Sequence, residues 1–193
     1  GEFIMSYSAN GNAWLRGAGF LALIILLVVI LLGMYWSSEP EDNFSLSKQT
    51  EARVVALQNS KVVGVATTLS AIKVADTLLY KPGGFLANDI APPGVWLDNI
   101  PSWEYGALIQ LRDLSKAMRE SFSRSQSQST EDVDLALAEP RYNFDHNSWM
   151  LPASETQYEE ATVYLHRYLD RLLDDEEHDA QFYARADNLR NWL

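Results

Sequence analysis

The chain has 193 residues, 47% of them hydrophobic, which is enough for one buried core with accessories. Its formal net charge is −11, and the first 36 residues hold one acid, Glu2, and one base, Arg16, so the whole excess of acid follows them; such a surface repels phosphate backbones and argues against nucleic acid as a partner. The chain has no cysteine, which excludes disulfides, thiolate metal sites, cysteine nucleophiles and an amino-terminal lipoprotein anchor.

Residues 1–4, ahead of Met5, read as a vector scar, and 5–16 as a short cytoplasmic amino terminus. From Gly17 to Trp36 runs GAGFLALIILLVVILLGMYW, with no charge and with 12 positions that are Leu, Ile, Val or Phe. As a helix it spans about 30 Å, the thickness of a bilayer's hydrocarbon core, and those side chains favour insertion by about 4 to 7 kcal/mol before glycine penalties. Trp14 on one flank and Tyr35 with Trp36 on the other are amphipathic rings suited to the two headgroup zones. Arg16 precedes the span and Glu39, Glu41 and Asp42 follow it, which places the amino terminus in the cytoplasm and the rest of the chain across the membrane. A cleaved signal would need a shorter apolar region and a small-x-small cleavage site, whereas this run ends Gly-Met-Tyr-Trp. Ala18 and Ala22 form a small-xxx-small pair of the kind that lets two spans touch, a weak signal in any apolar helix.

Residues 37–47 read as a polar tether, and 48–193 as one helical domain. Val55, Val62, Val65, Leu69, Ile72 and Leu79 step by threes and fours, predicting an amphipathic helix of about eight turns that ends at the Lys81–Gly84 sequence KPGG. Gln58 and Asp76 fall on the same stripe, either as register-setting polar groups or as wet groups on a rotated face. A second copy of the chain could pair along this helix. The VVGVA stretch at 62–66 is the one place where a strand could replace it. Residues 85–100 carry Pro92, Pro93 and Gly94 without helical period, and read as a long connection. Ala107, Leu111, Leu114, Met118 and Phe122 predict a second helix from about Ser102 to Ser125, capped by Asp98, Asn99 or Ser102. Residues 123–153 read as a long loop with one helical turn near Val133 to Ala138. Ser154 to Gln157, SETQ, is a capping-box sequence, after which Tyr158, Ala161, Leu165, Tyr168 or Leu169, and Leu172 form a third stripe. An acidic corner at 174–178 follows, then a fourth stripe of Phe182, Ala186, Leu189 and Leu193 that should fold back as a helical hairpin, with Asp187 and Arg190 able to pair. It stops at Leu193 without a capping signal, as in a chain cut short there. The expected fold class is therefore all-α: one transmembrane helix followed by a helical bundle with long loops.

Chemistry is sparsely signalled. Neither a nucleophile elbow nor a phosphate-cradling glycine loop is present. His166 and Asp170 sit at i,i+4 spacing but lack the second liganding pair that a metal site needs. Asn143, Asp145 and Asn147 alternate like the first ligands of a calcium loop, yet Ser148 replaces its glycine and Ser154 its bidentate glutamate; the plainer reading is an Asx-rich turn. No cofactor is expected. Glu104 lies between Trp103 and Tyr105, where burial would raise its pKa toward that of a general acid; with Trp96, Asp145 and His146 it could line a glycan-binding cleft. The competing reading is a structural corner, in which the tryptophans bury area and Glu104 favours the helix's first turn.

YWSSEP, TLLYKPGGFLANDIAPPGVWLDNIPSWEYG, FSRSQSQS, LAEPRYNFD, SWMLPASE and AQFYARADNL together resemble a proteobacterial family of single-span inner-membrane proteins, a domain of unknown function. The resemblance runs from about Tyr35 over nearly the whole chain. It implies an inner-membrane protein with a periplasmic, mainly helical domain whose relatives continue past Leu193, and it brings no activity or catalytic residues. The function expected on these grounds is that of a membrane-anchored scaffold that works through protein contacts in the cell envelope; a glycan-binding protein or hydrolase using Trp103 and Glu104 is the alternative.

Overall fold

A computed structural model describes residues 7–38, 46–124, 130–174, 176, 179–186 and 190. The described residues form helices and turns without a strand. The six α-helices are α1 (Tyr7–Trp36), α2 (Lys48–Leu57), α3 (Val65–Tyr80), α4 (Asn99–Ala117), α5 (Val133–Tyr142) and α6 (Ser154–Leu173). A single 3-10 turn, Gly94–Trp96, precedes α4, and a π turn, Met118–Phe122, extends it.

From Gly17 to Trp36, α1 is apolar on every side and exposed on nearly every side, and its segment Ala13–Trp36 is long and apolar enough to cross a membrane. A helix of that composition buried inside a soluble core would be covered all round. Three of its positions, Val29, Gly33 and Trp36, are half-covered; at steps of four and three they form one stripe, turned toward the rest of the chain.

The remaining helices pack α3 on α4, α4 on α5, α5 on α6 and α6 on α3, with α2 laid along α3. Leu69, Ile72, Leu108, Leu111, Leu135, Leu165 and Leu169 fill the centre; each such side chain, taken fully out of water, stabilises by about 1.5 to 3 kcal/mol. Tyr142, Tyr158 and Tyr168 are also fully buried, and their hydroxyls are satisfied: Tyr142 shares a hydrogen bond with Thr162 (3.0 Å), Tyr158 donates to the Phe144 carbonyl (3.1 Å) and Tyr168 to the Gln181 carbonyl (2.8 Å). A buried phenol without a partner would cost what its packing gains.

Helix direction alternates, so the long connections gather at one end. The α3–α4 loop meets the α5–α6 loop where the Asn88 side-chain amide donates to the Ser148 carbonyl (2.8 Å). At the other end Phe182 stacks on Phe122 with ring centroids 5.1 Å apart, and Tyr183 N–H donates to the Phe122 carbonyl (2.7 Å).

Several sequence expectations change in this frame. The single eight-turn helix is two helices, broken by a turn over 58–64. Gly64 closes that turn at φ +92°, and the Phe182 ring occupies the space a Cβ would need, so the periodic valines are overridden by a tertiary contact and a left-handed backbone. No strand forms at 62–66. Val55 and Val62 stay exposed, whereas Val65, Leu69, Ile72 and Leu79 are buried inside the bundle and are not free to pair with a second copy. Asp76, read as one of two wet or register-setting groups, is buried and accepts from the Ser47 backbone N–H (2.9 Å), which pins the start of α2 to α3; Gln58 is exposed. Helix α4 begins at Asn99 rather than Ser102, with Asp98 at the cap position but making no side-chain cap; Pro101 is tolerated because first-turn N–H groups have no helical acceptor. The short turn expected at 133–138 is a ten-residue helix capped by Asp132, whose carboxylate accepts from the N–H groups of Asp134 and Leu135. The capping box does not form: Ser154 is the first residue inside α6, and its hydroxyl faces the Asp145 and Ser148 carbonyls (2.7 and 2.9 Å). Residues 181–185 are not helical, so the fourth helix does not start at Phe182; Ala186 is helical, and Asp187, Leu189 and Leu193 lie outside the described residues.

Candidate functional site

The end of the bundle that carries both long loops brings together most of the residues singled out above. Glu104 is its centre. It sits one turn inside α4, 0% exposed, and its oxygens accept from Lys81 Nζ, from Leu86 N–H (2.9 and 3.0 Å) and from Ala87 N–H (2.7 Å). Lys81, itself buried at the end of α3, also donates to the Gly84 carbonyl and, at 3.4 Å, to the Leu78 carbonyl. Burial pushes the Glu104 carboxyl above its ordinary range, and Lys81 and the two backbone N–H groups pull it back; burial likewise lowers the Lys81 ammonium, and Glu104 raises it. The geometry is that of a clasp: the KPGGFLA segment bends over the start of α4 and is fastened there by one carboxylate with no face left for a substrate.

Around the clasp the loops are tied to one another. The Asn88 side-chain amide also donates to Glu155 Oε2 (2.8 Å). Asp89 stands partly covered nearby, its carboxyl raised by burial and by Glu155 and lowered by Lys81. Arg112 reaches from α4 to the end of α5, donating to the Tyr142 and Phe144 carbonyls (2.6 and 2.7 Å), which supplies the acceptor-rich helix terminus with a charged partner. Burial pushes the Tyr158 phenol, beside Arg112, up to about 12.

Glu104 faces inward and Trp103 outward, 40% exposed, so the two do not share a cleft. Trp96 is 64% exposed on the 3-10 turn. His146 lies against the Tyr105 ring with centroids 4.7 Å apart, and its Nδ1 is 4.0 Å from Asp145 Oδ1. Asp145 accepts from the Asn147 backbone N–H (3.0 Å), which closes an Asx turn, and the Asn143 amide turns back to Glu139 (carbonyl 3.1 Å, carboxylate 2.9 Å). On α6, His166 lies 3.4 Å from the Thr50 hydroxyl and Asp170 holds Arg53 in a two-pronged pair (2.6 and 3.0 Å). Among the described residues no three His, Asp or Glu side chains gather where they could hold a metal.

At the opposite end, Arg171 binds both Asp132 oxygens (2.8 Å each) and Asp134 (2.9 Å). Asp132 thus caps α5 and anchors α6 with the same carboxylate. Sequence reasoning missed Lys81, Asn88, Arg112 and Arg171, each of which has a side-chain or carbonyl partner 23 or more residues away.

The same loop-bearing end meets α1. The Gly83 backbone, at φ +86°, lies under the Trp36 ring so closely that a Cβ there would stand 2.8 Å from Trp36 Cγ, and Gly33 faces Pro93. The architecture is thus a helical bundle fastened to an amino-terminal helix with the length and composition of a membrane span. Over residues 8–193 the chain matches the model of a family described as uncharacterized protein conserved in bacteria, DUF2333, and it belongs to that family. No curated protein and no solved structure matches it.

Proposed function

We propose that this chain is a bitopic protein of the bacterial inner membrane, with its amino terminus in the cytoplasm and its helical bundle in the periplasm, and that it works as a scaffold through protein–protein contacts in the cell envelope. The observation that carries the scaffold reading is where the bundle's ionisable groups go. Glu104, Lys81, Asp76, Asp132, Asp134, Arg112 and Arg171 are each engaged in ties between helices or between helix and loop. A catalytic site needs such groups open to a substrate and poised in a cleft; here they stabilise the shape of a surface. The orientation rests on Arg16 before the span and Glu39, Glu41 and Asp42 after it. The exposed acids, in a chain of net charge −11, favour a partner surface with basic residues. Affinity capture of the full chain from crosslinked bacterial membranes is expected to return one stoichiometric envelope protein, lost when exposed acids of the bundle are reversed in sign. Capture of no stoichiometric partner, or turnover of envelope glycan by the purified chain, would overturn the reading.

A further inference from the structure

The loop-bearing end of the bundle shows apolar side chains of unusual size to water: Ile90, Val95, Trp96, Trp149, Met150 and Leu151, the last 95% exposed. They come from both long loops, which the Asn88 to Ser148 hydrogen bond holds side by side. Clustered exposure of this kind marks a surface with a covering.

Its position relative to α1 says what that covering is. Trp36 rests on Gly83, while Gly33 faces Pro93, and three helical residues rise about 4.5 Å. The 3-10 turn that holds Val95 and Trp96 therefore follows a proline lying nearly one turn further down the apolar run than the ring that ends it. Residues 82–99 and 143–153 contain no lysine or arginine, so attraction to anionic headgroups is not what would seat them; tryptophans and branched aliphatics are the side chains that partition into the interface without it.

We propose that this end of the bundle is seated in the bilayer surface, with Val95, Trp96 and Leu151 inserted among the headgroups and upper acyl chains of the same membrane that α1 spans. The proposal rests on the reading of α1 as a membrane anchor. The seat fixes the bundle upright, its α3–α4 and α5–α6 loops at the lipid and the end carrying Phe122 and Phe182 pointing away.

Because the chain has no cysteine, single cysteines report cleanly. The full chain carrying Leu27→Cys, Asn59→Cys, Val95→Cys or Leu151→Cys, spin-labelled and reconstituted in phosphatidylcholine vesicles, is probed for collisions with oxygen, which concentrates in lipid, and with a water-soluble nickel chelate. The oxygen-to-nickel ratio at 95 and 151 is expected to exceed that at 59 several-fold and to remain below that at 27. Ratios at 95 and 151 equal to that at 59, with 27 lipid-exposed, would overturn the seat and leave the anchor standing. A water-exposed label at 27 would overturn both. Labels at 95 and 151 that are immobile and shielded from both reagents would show a second copy of the chain covering the surface, and would overturn the seat as well.

Discussion

Replacing Glu104 by glutamine keeps the shape of the side chain and removes its charge and one of its two acceptor oxygens. Lys81 Nζ is then left inside the protein, its side chain 2% exposed, with carbonyls as its only partners. Removing one member of a buried ion pair costs about 3 to 5 kcal/mol, because the other charge stays desolvated. The Leu86 and Ala87 N–H groups, which the carboxylate holds at 2.7 to 3.0 Å, lose a charged acceptor, each such bond contributing about 1.5 to 3 kcal/mol. These terms overlap, since the amide oxygen still accepts from one donor, so the expected loss for Glu104→Gln is about 3 to 5 kcal/mol in all. Lys81→Met should cost less, because Glu104 keeps both backbone donors. The double variant should be less destabilised than the sum of the two by about 2 kcal/mol, the coupling of residues that share one network. Urea unfolding of the detergent-solubilised full chain, followed by far-ultraviolet circular dichroism, measures all four corners of the cycle. Additive losses, or a Glu104→Gln variant within about 1 kcal/mol of the parent chain, would refute the clasp.

Other regions give sharper local tests. His166 is titratable below its ordinary 6.5, chiefly through burial and then through Arg53, while Asp76 and Asp170 oppose the shift. A histidine whose folded pKa is depressed favours the fold above 6.5 and loses that contribution as pH falls through the folded value; the parent chain should therefore lose melting temperature below pH 6.5 more steeply than His166→Gln, and parallel curves would contradict this. Gly64→Ala places a side chain at φ +92° against the Phe182 ring and should cost about 2 to 3 kcal/mol in the same urea assay; an unchanged midpoint would show that the 58–64 turn is not held as described. Millimolar calcium should leave the fluorescence of the chain around Trp149 unchanged, since the Asn143 amide and the Asp145 carboxylate are engaged in turns within the chain; a saturable change would restore the calcium reading.

Helix periodicity was visible wherever one face had to meet a core, which is why α4 and α6 were legible to within a few residues. The expected stripe holds at Leu111, Met118 and Phe122, while Ala107 and Leu114 lie half-buried at its edge. Ile100, Glu104, Leu108, Leu111, Ser115, Ala117, Met118 and Phe122 are the buried positions, and a carboxylate within such a series signals that a partner for a buried charge must come from elsewhere in the chain. Spacing could not say that the partner is Lys81, because nothing local links residues 23 apart. The break at Gly64 was illegible for the same reason: Phe182 comes from the far end of the sequence. Helix α5 was underestimated because Asp132 was not recognised as its cap and because Pro140 lies inside it. The residue types of the aromatic corner at 95–105 fit either a core or a cleft. It is both inside and outside, with Glu104 buried in its ties to Lys81, Leu86 and Ala87 and with Trp96 and Trp103 left at the surface.

Both proposals require α1 to cross a membrane with the bundle on the far side of it. Labelling of Ser8→Cys and Asn59→Cys by a membrane-impermeant maleimide, in bacterial cells whose outer membrane alone has been opened, measures that directly. Position 59 should react in intact spheroplasts and position 8 only after lysis. Reaction at 8 before lysis with protection at 59, or equal protection of both until lysis, would contradict it.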